Sequence, residues 1–289
     1  MRVWLLAARP KTLTAAIVPV AIGTALAWQH EGRVLWTYAL LALAGALLIQ
    51  VGTNLVNDAI DFEKGTDDAE RVGPVRVTAS GLVASRVVMT GAWVCFAAAA
   101  LAGIPLLLRG GWPLLAIGLA SIAAGYLYTG GPYPLAYNGL GELFVLVFFG
   151  LVAVGGTFYV LTLDYGADAL VGGIAAGCLA NVLLAVNNLR DVEGDARAGK
   201  RTMAVRFGRR FAELEIAAFA VTPLLLGGWW WARGERLATL LPLLLAPLAA
   251  AVVRSARRDR GAALNATLAR AAGLQAGYGV LFITGLVLG

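Results

Sequence analysis

Nine of the 17 acidic residues in this 289-residue chain lie in two short stretches, 54–76 and 187–202. The first reads NLVNDAIDFEKGTDDAERVGPVR and the second NNLRDVEGDARAGKRT. On a helix, Asn54, Asp58 and Asp61 (i, i+4, i+7) fall within about 60° of one another. Asn187, Asp191 and Asp195 (i, i+4, i+8) span about 80° in the same way. Carboxylates stacked so closely repel unless a cation lies among them. Hard divalent cations, Mg²⁺ above all, choose oxygen ligands and bridge carboxylates to phosphate groups. Basic residues follow each cluster, Arg71 and Arg76 after the first and Lys200 and Arg201 after the second. These residue types suit a substrate with a diphosphate head and a hydrocarbon tail. Metal would make the diphosphate a leaving group, and the basic side chains would stabilise the charge that develops on departure. A water-poor chamber would protect the allylic carbocation left behind.

Composition decides which elements carry these residues. The chain is 60% hydrophobic and 14% charged, with a mean hydropathy of +0.77, whereas soluble domains carry about 25% charged residues. Its apolar residues fall into runs of the length needed to cross about 30 Å of hydrocarbon. Spans are predicted near 13–28, 35–57, 87–107, 112–129, 140–162, 168–188, 212–231, 237–253 and 271–288. A membrane β-barrel would alternate in segments of roughly ten residues, and these runs are continuously apolar. The expected fold is all-α, a polytopic membrane protein of nine transmembrane helices forming one domain over residues 1–289. Disorder, coiled coil and a secreted disulfide scaffold are excluded.

The N-terminus and the loops after the even-numbered spans hold 19 of the 23 Lys and Arg residues. By the positive-inside rule those segments are cytoplasmic and the C-terminus lies outside. The net charge of +6 then follows from topology and needs no nucleic-acid partner. No cleavable signal peptide is evident. Cys95 and Cys178 fall inside spans and read as small packing residues, and His30, in an outer loop, gives zinc little to bind. Trp229, Trp230 and Trp231 read as an outer aromatic belt. Tyr128 precedes a Gly-Gly-Pro turn and is either a belt anchor or a substrate contact. Glu142 opens an apolar helix, an expensive placement if buried, and is a candidate contact for the hydroxyls of an acceptor ring.

Aligning Asn54 with Asn187 brings Asp58 onto Asp191, which suggests a diverged internal repeat at an offset of about 133 residues. Solvated helix caps explain Asp67, Asp68 and Glu70, but not two clusters that share an Asn-x3-Asp opening at one membrane depth. A secondary transporter also has intramembrane acids. Its site would lie near the bilayer midplane, and these acids lie at the cytoplasmic ends of the second and sixth spans.

The same residues carry a resemblance to the UbiA superfamily of intramembrane aromatic prenyltransferases, over essentially the whole chain. It rests on Asn57-Asp58 to Asp61, GTDD at 65–68, RVGPVR at 71–76, YTGGPYP at 128–134, GLGELFVLVFFG at 139–150 and RDVEGDARAGKRTMAVRFG at 190–208. Within the superfamily these stretches are most similar to the branch that prenylates 1,4-dihydroxy-2-naphthoate in menaquinone biosynthesis. The resemblance implies nine helices around a central cavity with two Asp-rich motifs at its cytoplasmic end, in the cell membrane. It implies Mg²⁺ held by Asn54, Asp58, Asp61, Asp191 and Asp195, and through it a polyprenyl diphosphate. Arg71, Arg76, Tyr128, Asn187, Lys200 and Arg201 would line the substrate. The expected product is the decarboxylated, prenylated ring, demethylmenaquinol; acceptors such as 4-hydroxybenzoate or homogentisate are the alternative. Two departures stand out. The superfamily often spaces its first motif Asn-x3-Asp-x3-Asp, but position 62 is Phe, leaving Asp61 or Asp67 to complete the cluster. Several branches also carry a Lys or Arg in the loop 130–138, where this chain offers Tyr133, Tyr137 and Asn138.

Overall fold

The computed structural model describes residues 2–66 and 76–289, apart from the side chains of Arg2 and Lys11. Arg71, Asp67 and Asp68 lie outside the described residues. Every regular element among those described is helical. In chain order they are α1 (Arg2–Ala8), α2 (Thr14–Glu31), α3 (Trp36–Glu63), α4 (Ser85–Gly110), α5 (Trp112–Leu127) and α6 (Gly141–Val145). A π-helical stretch, Leu146–Val152, joins α6 to α7 (Ala153–Thr162). Then follow α8 (Ala167–Arg190), α9 (Val192–Arg197), α10 (Met203–Leu225), α11 (Gly227–Ala232), α12 (Arg236–Leu243), α13 (Ala246–Arg258) and α14 (Leu264–Leu288).

Six helical segments are long and apolar enough to cross a membrane: Trp36–Glu63, Ser85–Gly110, Gly141–Thr162, Ala167–Arg190, Met203–Ala232 and Gly261–Leu288. The pair α12 and α13, bent by 41°, makes a seventh if it is one span. The chain is therefore an integral membrane protein. By length and composition its helices support six or seven of the nine spans expected. The other two expected spans coincide with α5, which has only 16 residues, and α2, which ends in the polar Gln29-His30-Glu31.

Local sequence sets the corners. Gly32, at φ 70°, closes α2 in the left-handed conformation that spares a Cβ clash. Pro113 follows the Gly111 corner, in the first turn of α5, where its missing N–H costs nothing. α8 is the hub, with 72% of its apolar window buried. It approaches the π-helical stretch so closely that a Cβ on Gly150 would lie 2.4 Å from the Gly173 carbonyl oxygen. The main core gathers α8 with α2, α7, α10 and α14. A smaller core joins Ala7 of α1, Leu55, Val56 and Ala59 of α3, and Val88, Ala92 and Phe96 of α4.

The tryptophan run departs from the expected belt. Trp230 is 1% exposed and packs on Phe282 with ring centroids 5.0 Å apart. Trp229 donates its indole N–H to Asp168 (2.7 Å), and only Trp231 is exposed. Three consecutive residues span about 200° of a helix, so they cannot all face lipid. Cys178 is buried and Cys95 half-buried, both as free thiols within helices.

With 28 residues, α3 is about 42 Å long at 1.5 Å per residue, longer than about 30 Å of hydrocarbon. Its predominantly apolar stretch ends near Val56, so the last turns, Asn57 to Glu63, form the polar end of the helix. The end of α8 and the short α9 lie beside them, and this shared end of the bundle holds the site.

Candidate active site

Two Asn-x3-Asp ladders run up the end of α3, and the packing around them gives each a different task. Asn54 and Asp58 face inward to the protein's own backbone. The Asn54 amide donates to the Ala8 carbonyl and to the Thr12 hydroxyl, both at 3.0 Å, fastening the N-terminal segment to α3. Asp58, 1% exposed, accepts the backbone N–H groups of Val77 (3.1 Å) and Thr78 (3.0 Å), one on each carboxylate oxygen. Both were expected as metal ligands, and here their hydrogen bonds tie the N-terminal segment and the turn at Val77 and Thr78 to α3.

The second ladder, Asn57 and Asp61, faces the neighbouring loops. The Asn57 amide oxygen accepts the Thr129 hydroxyl. Asp61, 3% exposed, accepts from the Tyr137 hydroxyl (2.8 Å) and from Arg76 Nη2 (3.2 Å), with Lys200 Nζ at 3.4 Å. Thr66 shares a 2.7 Å hydrogen bond with Tyr137. Lys64 Nζ donates to the Thr129 carbonyl (2.8 Å) and lies over the Tyr137 ring at 4.4 Å, and Lys200 Nζ lies over the same ring at 4.8 Å. Partial desolvation lowers the Lys64 ammonium pKa below the usual lysine range; Asp61 opposes this and Lys200 adds to it.

The second motif closes the far side. Lys200 Nζ lies 3.9 Å from Asp195 Oδ1, so one ammonium stands between the carboxylates of the two motifs. The turn after α9 makes this possible, since the Lys200 N–H donates to the Asp195 carbonyl at 2.8 Å. Asp191 caps α8 and is gripped by the fork of Arg190, at 2.7 Å on each oxygen, while Arg190 Nη1 donates to Asn265 (2.8 Å). Asn187 is half-buried one turn earlier, and its carbonyl accepts the Asp191 N–H (3.0 Å). Arg201 enters through its backbone: its N–H donates to the Tyr137 carbonyl (2.9 Å), whereas its side chain is exposed.

Below this polar layer lies an apolar cavity of about 210 Å³ walled by α2, α3, α4, α5 and the segment from α6 to α7. Gln50, Thr53, Ser121, Tyr128 and Thr157 are its polar lining, and Phe144, Phe148 and Phe149 supply its aromatic wall. Tyr128 stands at the junction, its hydroxyl so near Gly141 that a Cβ there would lie 3.2 Å from it. Glu142, 8% exposed, accepts from Asn188 Nδ2 at 2.8 Å, and its carbonyl accepts from Asn181 (2.9 Å).

Sequence spacing missed Asn57, Lys64, Thr129, Tyr137, Asn188 and Arg190. The signal for Asn57 was present, because it stands four residues before Asp61, as Asn54 does before Asp58. Thr129 and Tyr137 follow from no helical period, since the 128–140 turn brings them over α3.

The UbiA prenyltransferase family matches residues 16–274. The chain belongs to that family. It is 43% identical over 265 residues to a 1,4-dihydroxy-2-naphthoate octaprenyltransferase of Mycobacterium tuberculosis, covering 89% of this chain and 87% of the relative. An enzyme of the same name from Escherichia coli is 38% identical over 211 residues, 71% of this chain and 68% of the relative. Solved structures share the fold. A UbiA homolog from Aeropyrum pernix superposes with a TM-score of 0.71 at 15% identity, covering 96% of this chain and 97% of that one. A homolog from Archaeoglobus fulgidus bound to GPP and Mg²⁺ gives a TM-score of 0.67 at 16% identity, covering 98% and 99%.

Among the described residues no three His, Cys, Asp or Glu side chains converge as a metal cage. The donor set nevertheless fits Mg²⁺. Asn57, Asp61, Asp191 and Asp195 offer only hard oxygens, and Lys200 already holds positive charge between Asp61 and Asp195. A cation that keeps few protein ligands and takes the remainder from phosphate suits such an open arrangement.

Proposed function

We propose that the protein transfers a polyprenyl group from its diphosphate to 1,4-dihydroxy-2-naphthoate, with loss of CO₂, giving demethylmenaquinol for menaquinone synthesis. The observation that carries this is the meeting of Asp61 on α3 and Asp195 on α9 over the Lys200 ammonium, next to an apolar, aromatic-walled cavity. That arrangement supports diphosphate chemistry at one end and hydrocarbon binding at the other. The naphthoate acceptor is supported by the similarity to naphthoate octaprenyltransferases over most of the chain.

Asn57, Asp61, Asp191 and Asp195 would hold Mg²⁺, which when bound neutralises the diphosphate and improves it as a leaving group. Arg76 and Lys200 stand where they would receive the oxygens of the departing diphosphate, and each loses little solvation because both are largely buried. The C–O bond breaks with its electron pair leaving on the diphosphate. The walls of small and aromatic residues keep water from the allylic cation, so the ring carbon that bears the carboxylate forms the new C–C bond. The C–CO₂ bond then breaks, and its electrons restore the aromatic ring. Tyr128, which lines the cavity, would contact the ring between head site and cavity. The positive-inside pattern supports a cytoplasmic N-terminus and site, an outer C-terminus, and residence in the cell membrane, with the whole chain acting as one domain.

The test is an assay of purified protein in lipid with a prenyl diphosphate and 1,4-dihydroxy-2-naphthoate, with and without EDTA. A prenylated, decarboxylated product that EDTA abolishes is the expected result. Product only with 4-hydroxybenzoate or homogentisate would overturn the acceptor, and no diphosphate release with any aromatic acceptor would overturn the reaction.

A further inference from the structure

Glycine is the poorest helix former after proline, so a helical glycine usually marks a close approach between backbones. Many here do so. A Cβ would lie 2.6 Å from the Phe96 ring at Gly52, 2.5 Å from the Thr53 hydroxyl at Gly125 and 2.5 Å from Ala238 at Gly285. Gly45, Gly103 and Gly118 behave differently. They stand on α3, α4 and α5, all three line the apolar cavity, and a Cβ at any of them would meet no atom within 4 Å. Helix packing therefore does not explain them. Each lowers the stability of its helix and leaves open space in the cavity wall.

Their depths agree. A Cβ on Gly125 of α5 would meet Thr53 of α3 and the Phe96 ring of α4, so these three residues are level. At about 1.5 Å per residue, Gly118, Gly103 and Gly45 each lie about 10–12 Å further from the diphosphate end than that level. A hydrocarbon entering from that end meets the three glycines together, as one open ring contributed by three helices.

We propose that Gly118, Gly103 and Gly45 set the length of prenyl tail this cavity accepts, each leaving unfilled the space that more distal isoprene units occupy. The inference rests on the prenyl-transfer reaction proposed above. It assigns tail selectivity to three positions where the sequence offers only hydrogen atoms.

The experiment compares wild type with Gly118→Leu, Gly103→Leu and Gly45→Leu in lipid, each given an equimolar mixture of geranyl, geranylgeranyl and octaprenyl diphosphates with naphthoate and Mg²⁺. Each of the three leucine variants is expected to keep geranyl transfer within about threefold and to lower the octaprenyl-to-geranyl product ratio at least tenfold. The matching Gly→Ala variants, whose added carbon meets nothing, should shift the same ratio in the same direction by smaller factors, and they stand in for any leucine variant that does not fold. Unchanged ratios in folded, geranyl-active variants would overturn the proposal, as would an equal loss of every chain length. If wild type makes no product from naphthoate, the proposed reaction fails instead. The same ladder is then read as the thermal stabilisation each diphosphate confers with Mg²⁺, and a profile indifferent to the substitutions overturns the gauge independently.

Discussion

Asp58 and Asp61 are three residues apart on one helix and both are almost fully buried, yet neutralising each should fail in a different way. In Asp58→Asn, an amide replaces a carboxylate that accepts two backbone N–H groups at 3.1 and 3.0 Å. Asparagine has one oxygen to offer, so one N–H is left facing an NH₂ group. A buried hydrogen bond to a charged group contributes about 1.5–3 kcal/mol. The variant should therefore lose about 2–3 kcal/mol of stability, seen as a thermal midpoint several degrees lower in detergent. Its kcat per folded molecule should stay within about threefold of wild type. In Asp61→Asn, Arg76 and Lys200 lose the charge that gathers them, and the oxygen donors of the site lose their most enclosed member. Removing one preorganised electrostatic element typically costs 10²–10³ in rate, about 2.7–4 kcal/mol. The expected result is a 10²–10³ fall in kcat per folded molecule. Melting curves and single-turnover rates on the same preparations separate the two. A hundredfold loss of kcat in Asp58→Asn with an unchanged thermal midpoint would refute the division, because Asp58 would then be touching metal or substrate.

Lys200→Met should lower kcat/KM for the prenyl diphosphate by about 10²-fold, whereas Arg201→Met, on an exposed side chain, should change it less than threefold; steady-state assays at saturating acceptor decide. Trp230→Ala should destabilise by about 3–5 kcal/mol and Trp231→Ala by less than about 0.5 kcal/mol, read from thermal midpoints. Gly150→Ala forces a carbon to 2.4 Å from the Gly173 oxygen and should cost about 1–3 kcal/mol or abolish folded yield. Gly155→Ala, with nothing within 4 Å, should be neutral or stabilising. Asn188→Ala strips the Glu142 carboxylate of a buried donor and should cost about 1–3 kcal/mol, with partial rescue by Asn188→Gln.

The membrane class and the long helices were legible because each depends on run length and composition, which the sequence states directly. The orientation of the α3 acids was not. Asn54/Asp58 and Asn57/Asp61 are equally good i, i+4 pairs, and periodicity is blind to which of them meets the 76–80 turn and which meets the 128–138 loop. Asp191 was visible at its helix end, but its grip by the preceding Arg190 depends on the fork geometry of a guanidinium turning back on its neighbour. Trp229–Trp231 misled for a related reason: composition suggested one environment for residues that a helix spreads over more than half of its circumference. The span count blurred where α2 ends in polar residues and where α5 is short, features that matter to a hydropathy criterion and little to helix packing.

The loop 130–138 has no Lys or Arg of its own, but its Tyr137 ring lies beneath the ammoniums of Lys64 and Lys200, contributed from the end of α3 and the turn after α9. Positive potential at this edge of the site is thus a property of three segments jointly, and the loop's share is to provide a flat, electron-rich surface that keeps two mutually repelling cations close together. Charge of this kind can migrate between segments during divergence without altering the field a diphosphate meets. A column-by-column comparison of this loop with homologues bearing a basic residue there would register a loss, although the cationic edge persists, assembled from both motifs and dependent on an aromatic ring that carries no charge at all.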